Sequence, residues 1–439
     1  MIIVQQELIG SLFIGITYSI SHVKSVLNTV LSFKLVTYLC YLKISIMGQE
    51  NINIGLNPED LKGKKVIVFF FGTRPEILKL FVLYRILKKS DEFYPLLYNT
   101  AQQKISGDIL SNIGIHPDIT ATEKPNRSSD LNELIAHLLN DFNEKFGEKS
   151  PVKKDNLHGI IVQGDTASAF AGALWGFLNQ IPVFHAEAGL RTLDKMNPFP
   201  EEFMRESVAR MATWHFAPKG INRDNLINEG IKHDKIFVIG NTINDAIFTL
   251  IKEKKIKEPA QKNYILSTFH RRENWGFVSD YAKILNTVMD DVEGYTEILH
   301  LMHPNPLIQR SFDEVMNGHG HKKLIIMKPI HDYFEMLGYV KNAGCILTDS
   351  GGLQEESLFF NVPCGVLRKT TERPEVLKKN AKLLPIEKPV ITEFLTEAID
   401  YRKVHQSKYN YTYGFGDSSY LIYELLKKFY GIQTEYSFM

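Results

Sequence analysis

KKVIVFFFGTRPEILKLFVLYRILKKS, residues 64–90, decides the fold. Lys64 and Lys65 lead into Val66–Phe71, a continuous apolar run of the kind that a strand covered on both faces requires. Gly72-Thr73-Arg74 then turns the chain. Pro75, suited to a first helical position, opens a stretch with helical apolar spacing that ends near Ser90. Strand, tight turn and helix in that order form the unit of a parallel α/β sheet.

The same alternation runs on toward the C-terminus. Strands are predicted at Tyr94–Asn99, His158–Gln163, Ile181–Ala186 and Lys235–Ile239, with helices at Leu131–Phe146, Ala167–Asn179 and Glu201–Thr213. A second half repeats the style without repeating the sequence: strands at Tyr264–Thr268, Glu297–Met302, Leu324–Met327, Cys345–Thr348 and Pro363–Leu367, with helices that include Asp332–Ala343 and Leu353–Phe360. The expected fold is α/β, two doubly wound lobes facing each other across a cleft, one over residues 64–240 and one over residues 241–416. Asn241-Thr242 is the candidate hinge, and a last helix within residues 417–432 is expected to return to the first lobe. The charged run Ile251–Pro259 reads as a solvated helix end near the join.

Composition agrees with this class. At about 150 residues per domain, 439 residues predict two or three domains. Lys plus Arg number 51 against 50 Asp plus Glu, a net charge of +1, so no nucleic acid is implied as partner. Apolar residues at 44% argue against a disordered chain. Cys40, Cys345 and Cys364 form no C-x-x-C pair, which argues against a zinc ribbon or disulfide scaffold and for a reducing, cytoplasmic compartment. Residues 1–46 differ: they form a hydrophobic N-terminal extension rich in Ile, Leu, Val and Ser. Its uncharged stretch Leu8–Val23 is shorter than the ~20 residues that span a bilayer. A translation start at Met47 is the favoured reading, ahead of a weakly membrane-associating leader or an extra helical hairpin.

Candidate chemistry gathers at the strand ends. Gly72-Thr73-Arg74-Pro75-Glu76 offers a glycine turn, helix-start amides and a guanidinium, an arrangement suited to a phosphate. Gly164-Asp165-Thr166 and His185-Ala186-Glu187-Ala188-Gly189-Leu190-Arg191-Thr192 follow later strands, and Pro200-Glu201-Glu202 opens a helix. One carboxylate at such a spot is ordinarily a cap. Three in one lobe, Asp165, Glu187 and Glu201, can converge on proton transfer to and from carbon. In the second half, Phe269-His270-Arg271-Arg272-Glu273 could stabilise a departing diphosphate. Asp349-Ser350-Gly351-Gly352-Leu353-Gln354-Glu355-Glu356 is a strand, glycine turn and helix whose first amides suit a pyrophosphate, with Glu356 placed to accept ribose hydroxyls. Thr370-Thr371-Glu372-Arg373-Pro374-Glu375 repeats the strand-then-anion arrangement. No complete G-x-G-x-x-G follows a strand, and neither a metal nor a redox cofactor is expected.

Taken in order, GTRPE, GDT, EAGLRT, PEE, HRRE, the run His303-Pro304-Asn305-Pro306, TDSGGLQEE and TTERPE resemble the non-hydrolysing UDP-N-acetylglucosamine 2-epimerase family, from about Val66 to Tyr430. The resemblance implies two Rossmann-like lobes in the glycosyltransferase-B arrangement, a homodimer, and interconversion of UDP-GlcNAc and UDP-ManNAc. The reaction it implies is anti-elimination of UDP and re-addition after protonation of carbon 2 from the other face. It implies Asp165, Glu187 and Glu201 as acid/base carboxylates and His270 at the leaving group. It further implies Arg74, Lys79, Ser350, Gly351, Gly352, Glu356 and Arg373 at the nucleotide, with His303, His331 and Met336 completing the substrate site.

Several positions depart from the family pattern. Gln103 replaces a histidine in a segment that serves a second, activating UDP-GlcNAc site in bacterial members, Met204 replaces asparagine beside Arg205, and His331 and Met336 replace glutamine and phenylalanine while Tyr333 is kept. A hydrolysing 2-epimerase, a 2-epimerase of a UDP-diacetamido sugar, a glycosyltransferase of the same architecture and an inactive nucleotide-sugar binder remain the alternatives.

Overall fold

Aromatic and β-branched side chains fill Val66–Phe71, and none of the six is more than 2% exposed, as a strand covered on both faces demands. The computed structural model describes residues 61–103, 105, 107–122, 130–406 and 408–435; the N-terminal extension of residues 1–46 lies outside the described residues. The first sheet holds β1 (Lys65–Phe71), β2 (Phe93–Asn99), β3 (Ile119–Thr120), β4 (Leu157–Gln163), β5 (Val183–Ala186), β6 (Trp214–Ala217) and β7 (Ile236–Val238). Their order is β3-β2-β1-β4-β5-β6-β7, and every pairing is parallel. Around it lie α1 (Arg74–Lys89), α2 (Gly107–Asn112), α3 (Leu131–Lys145), α4 (Ala167–Leu178), α5 (Glu201–Met211) and α6 (Gly220–Asn228).

The long helix α7 (Thr242–Lys252) leads to the second sheet, β8 (Ile265–Thr268), β9 (Ile298–Leu301), β10 (Leu324–Met327), β11 (Cys345–Thr348), β12 (Cys364–Val366) and β13 (Ala381–Leu383). Its order is β10-β9-β8-β11-β12-β13, again parallel throughout. The helices are α8 (Val278–Thr287), α9 (Pro306–Met316), α10 (Tyr333–Asn342), α11 (Gly351–Phe359) and α12 (Lys388–His405). Strand order reverses between β1 and β4 in one sheet and between β8 and β11 in the other, so loops at those strand ends splay apart and leave crevices.

Three strands lie outside those read from the sequence: β3, only two residues long, β6 and β13. β6 follows α5 almost at once, so the periodic stretch reads on to Thr213, whereas the helix stops at Met211 and Ala212 turns extended. β13 is three residues long with an exposed Lys382 in its middle, too short for a period to register. The run Ile251–Pro259 is helical only to Lys252; beyond it, Lys257 donates its backbone N–H to the Phe334 carbonyl.

One apolar core runs from Ile67 and Leu80 through Ile247 of α7 to Leu266 and Leu337. The final helix, α13 (Ser418–Phe429), returns to the first sheet, where Phe429 meets Phe184 and Trp214 edge-on at 5.1 and 4.9 Å. Buried Asp245 of α7 accepts from the Ser419 amide at 2.7 Å, tying the two crossing helices together. The outgoing and returning chains touch at Gly240 and Tyr413. Asn241 donates its N–H to the Tyr413 carbonyl at 2.8 Å, and a Cβ on Gly240, whose φ is +87°, would lie 2.5 Å from that oxygen. We expect Gly240→Ala to cost at least about 2 kcal/mol, combining left-handed strain with a backbone clash. Chemical denaturation checks this, and an unchanged midpoint would show that the crossing tolerates a side chain.

Candidate active site

The turn after β1 is built for close approach. A Cβ on Gly72 would overlap the hydroxyls of Thr100 and Ser168, which lie 2.6 Å from each other. Gln102 Oε1 accepts from the Ser168 amide and hydroxyl at 3.1 and 2.7 Å, and Gln103 donates its N–H to the Gly72 carbonyl at 2.8 Å. The Thr100–Gln103 segment therefore braces this turn. Two amides of the turn are taken within it: Gly72 and Thr73 both donate to Glu76 Oε2, at 2.9 and 2.7 Å, while Thr166 donates to Oε1 at 2.5 Å. Glu76 thus pins the β1 turn to the β4 turn. Arg74 remains available as a guanidinium and donates to the His331 carbonyl of the second lobe at 2.9 Å.

Asp165 follows β4 and is paired with Arg205 of α5, which also holds buried Glu202 at 3.0 Å. Glu202 accepts from the amides of Thr192 and Leu193 at 2.7 and 2.8 Å, fixing the connection that carries Glu201. Glu201 opens α5, one turn before Arg205, and its Oε2 is buried with no hydrogen-bond partner among the described residues. Glu187 follows β5 with φ +62°, a left-handed conformation that costs a non-glycine residue of order 1 kcal/mol or more. Two residues earlier, buried His185 is neutral, its pKa pushed down to about 4 by burial, and its Nε2–H donates to the Gly164 carbonyl at 2.9 Å. The β4 and β5 turns are thereby locked side by side, with Asp165 and Glu187 on neighbouring strand ends.

Glu187 is the centre of the site. Lys79 of α1 approaches Glu187 Oε1 to 2.5 Å and Glu355 Oε2 of α11 to 2.9 Å. Arg373 donates through Nε to Glu355 Oε1 at 2.6 Å, through Nη2 to Glu187 Oε1 at 3.4 Å and through Nη1 to Glu372 at 2.5 Å. Asn241 Nδ2 reaches Glu187 Oε1 at 3.2 Å and Glu355 Oε1 at 3.1 Å, and Gln163 donates to the other Glu187 oxygen. Burial alone would raise the Glu187 pKa, but Lys79 and Arg373 outweigh it and hold the carboxyl below its ordinary value. Glu355 stays above its ordinary value because burial exceeds the help of the same two cations. The sequence motifs do not mark Glu355 and Asn241 as site residues, and Asn241 reads there as a hinge. The available signal was a run of polar side chains, Gln354, Glu355 and Glu356, with no apolar neighbour to interrupt it.

The second lobe supplies two further groups. His270 Nδ1 lies 2.9 Å from Asp349 Oδ1, and buried Asp349 also accepts from the His270 and Arg271 amides. Its pKa is held low because His270 and Arg271 overcome the burial that would raise it. Ser350 directly precedes α11 without a side-chain capping bond, and the helix begins with Gly351 and Gly352; a Cβ on Gly351 would press on Arg373 and Glu372, at 2.8 and 2.9 Å. Tyr333 donates to Glu356 Oε1 at 2.8 Å, and burial pushes that carboxyl up to about 7. Met336 is buried on α10, while His331 is exposed and meets Arg74 only through its carbonyl. His303, beyond β9, accepts from the Asn305 amide at 3.1 Å and packs near Trp275.

Burial also lifts Glu76 from an ordinary 4.5 to about 7, against the hydrogen bonds from Thr166, Gly72 and Thr73. The folded carboxyl holds its proton more tightly than the unfolded one. Its stabilising protonation is complete below about pH 4.5 and is lost as pH rises through about 7. Glu76→Gln, neutral throughout, should remove that part of the decline, roughly 3 kcal/mol at most. Denaturant midpoints measured across this range test it, and an identical slope in both proteins would contradict it.

Residues 85–427 match the family model described as UDP-N-acetylglucosamine 2-epimerase. The UDP-N-acetylglucosamine 2-epimerase of Bacillus subtilis is 34% identical over 383 residues, covering 85% of this chain and 97% of that protein. The structure of UDP-GlcNAc 2-epimerase from Neisseria meningitidis bound to UDP-GlcNAc superposes with a TM-score of 0.72 at 30% identity, covering 83% of this chain and all of the other. The S. aureus MnaA–UDP co-structure gives the same TM-score at 29% identity and covers 85% of this chain. A site built where two parallel sheets meet, over motifs matched along nearly the whole described chain, assigns the protein to the UDP-N-acetylglucosamine 2-epimerase family.

Proposed function

We propose that the chain interconverts UDP-GlcNAc and UDP-ManNAc by inverting carbon 2 of the sugar through elimination and re-addition of UDP. The observation that carries this reading is the meeting of Glu187 with Lys79 and Arg373, which brings a proton-transfer carboxylate against two cations fit for a diphosphate. In the forward half, a first-lobe carboxylate takes the proton from carbon 2. The C1–O bond breaks with its electron pair leaving on the β-phosphate, and carbons 1 and 2 become doubly bonded. In the return half, a second carboxyl delivers a proton to the opposite face of carbon 2 and UDP re-adds at carbon 1. Asp165, Glu187 and Glu201 are assigned to these transfers, since two faces need two separately placed groups.

His270 is assigned to the leaving phosphate: its Nδ1 is engaged by Asp349, which leaves Nε2 for the departing oxygen. Arg74, Lys79, Arg373, Ser350 through its hydroxyl, and the first amides of α11 at Gly351 and Gly352 are assigned to the diphosphate, and Glu356 to the ribose. His303, His331 and Met336 are assigned to the remaining contacts with the nucleotide sugar. The reading includes a homodimer working in the cytoplasm. Among the described residues, no helix is long and apolar enough to cross a membrane.

The test is incubation with UDP-GlcNAc in deuterated water, followed by proton NMR. Deuterium at carbon 2 together with UDP-ManNAc is the expected result; free ManNAc and UDP without UDP-ManNAc would favour the hydrolysing alternative. Asp165→Asn, Glu187→Gln and Glu201→Gln should each lower turnover by about 10²-fold or more with smaller changes in UDP affinity. Arg373→Ala should chiefly weaken UDP binding. Equal binding losses in all four variants would refute the division of roles.

A further inference from the structure

Each of the donors Lys79, Arg373 and Asn241 bridges the same two acids, Glu187 from the first lobe and Glu355 from the second. Lys79, Glu187, Glu355 and Arg373 are all nearly closed off from water, with side chains no more than 9% exposed. Taken with the diphosphate role proposed above for Lys79 and Arg373, on which this inference rests, the bridging has a consequence. A diphosphate and the two carboxyls must compete for the same two cations.

We propose that nucleotide binding loads a proton onto the Glu187–Glu355 pair, so that Glu355 acts as a positioning residue coupling the diphosphate site to the proton-transfer site. Drawing Lys79 and Arg373 toward a diphosphate removes the charges that favour two ionised carboxyls side by side, and the diphosphate adds negative charge of its own. Both effects raise the proton affinity of the pair. The direction does not depend on how many protons the pair holds beforehand, and the proton belongs to the pair rather than to either residue. The return half of the epimerisation needs a carboxyl that carries a proton. A site loaded only by bound nucleotide would have that proton in place when the sugar is.

The surroundings limit which other groups could answer for the proton. Around Glu187 stand Gln163 from β4, and Asp165, already held by Arg205. Around Arg373 stand Glu372, itself paired with Arg368, and Tyr413, which donates to Glu375. Of the remaining nearby acids, Glu76 is enclosed by its own three hydrogen bonds. Glu356, bonded to Tyr333 and assigned to the ribose, and Glu201, whose buried Oε2 has no hydrogen-bond partner among the described residues, are the other carboxyls whose protons a nucleotide could move.

Calorimetry with UDP-GlcNAc at about pH 6, in buffers of differing ionisation enthalpy, measures the net proton uptake, and the part of it lost in Glu355→Gln belongs to the pair rather than to the histidines of the site; UDP-GlcNAc is a diphosphate diester with no group of its own titrating there. Binding to the wild type should take up protons, and affinity should strengthen as pH falls. Glu355→Gln removes one competitor for the cations, so it should bind UDP-GlcNAc about tenfold more tightly near pH 7, with less proton uptake, while turnover falls. Glu355→Asp, which keeps the charge, should restore the uptake. Glu356→Gln should retain it, and this variant decides the matter if Glu355→Gln does not fold. Wild-type binding without proton uptake, or uptake lost in Glu356→Gln and kept in Glu355→Gln, would overturn the inference. Failure of UDP-GlcNAc to bind, or absence of deuterium at carbon 2, would instead sink the functional reading beneath it.

Discussion

Two cations and two acids meet where the lobes join, and the rest of the site depends on their staying together. Taking a charge out of water costs several kcal/mol even after the protein relaxes, so no one of Lys79, Glu187, Glu355 and Arg373 is stable there without its opposites. The four come from α1, the turn after β5, α11 and the segment after β12. Satisfying one ionic balance therefore fixes the relative position of four distant stretches of chain. From Arg373 the alternation of sign continues outward through Glu372 to Arg368, so the negative charge next to the cluster is itself answered. A buried network of this kind adds little net stability, but it is unforgiving of misplacement. It suits a site that must hold a carboxylate and a cation within one or two ångströms of where chemistry needs them.

The sequence carries much of this framework because the apolar periods are strong. Val66–Phe71 and the stretch after Pro75 announce a buried strand and a helix, and the same grammar locates most of the other strands. It fails where the period is cut short. β6 is hidden by the helix that runs almost into it, and β13 offers three residues with a lysine at the centre. Motifs locate the site as a set of strand ends, but they do not say which atoms remain for a ligand. Gly72-Thr73-Arg74-Pro75-Glu76 looks like an anion cradle because glycine and a helix start suggest free amides. Folded, its own Glu76 takes the Gly72 and Thr73 amides, while the Arg74 guanidinium reaches across to the second lobe. Asn241 shows the same limit in reverse: a glycine and a polar pair between lobes suggest a hinge, yet the side chain touches both central acids.

Adjacent acids explain why that limit is physical. Consecutive residues on a helix point about 100° apart, so a pair such as Glu-Glu can never serve one partner equally. In Glu201-Glu202 the second member turns inward, where it takes two backbone amides and Arg205, while the first keeps a buried oxygen with no hydrogen-bond partner among the described residues. In Glu355-Glu356 one carboxyl faces the cations of the seam and the other faces Tyr333, where burial lifts it to about 7. The letters are the same and the duties differ. What separates them is which side of each helix faces the other lobe, a property of the packed pair of sheets that no local pattern encodes. Two acids one residue apart are thus mutually dependent, because the amides and cations held by the first determine the backbone from which the second projects.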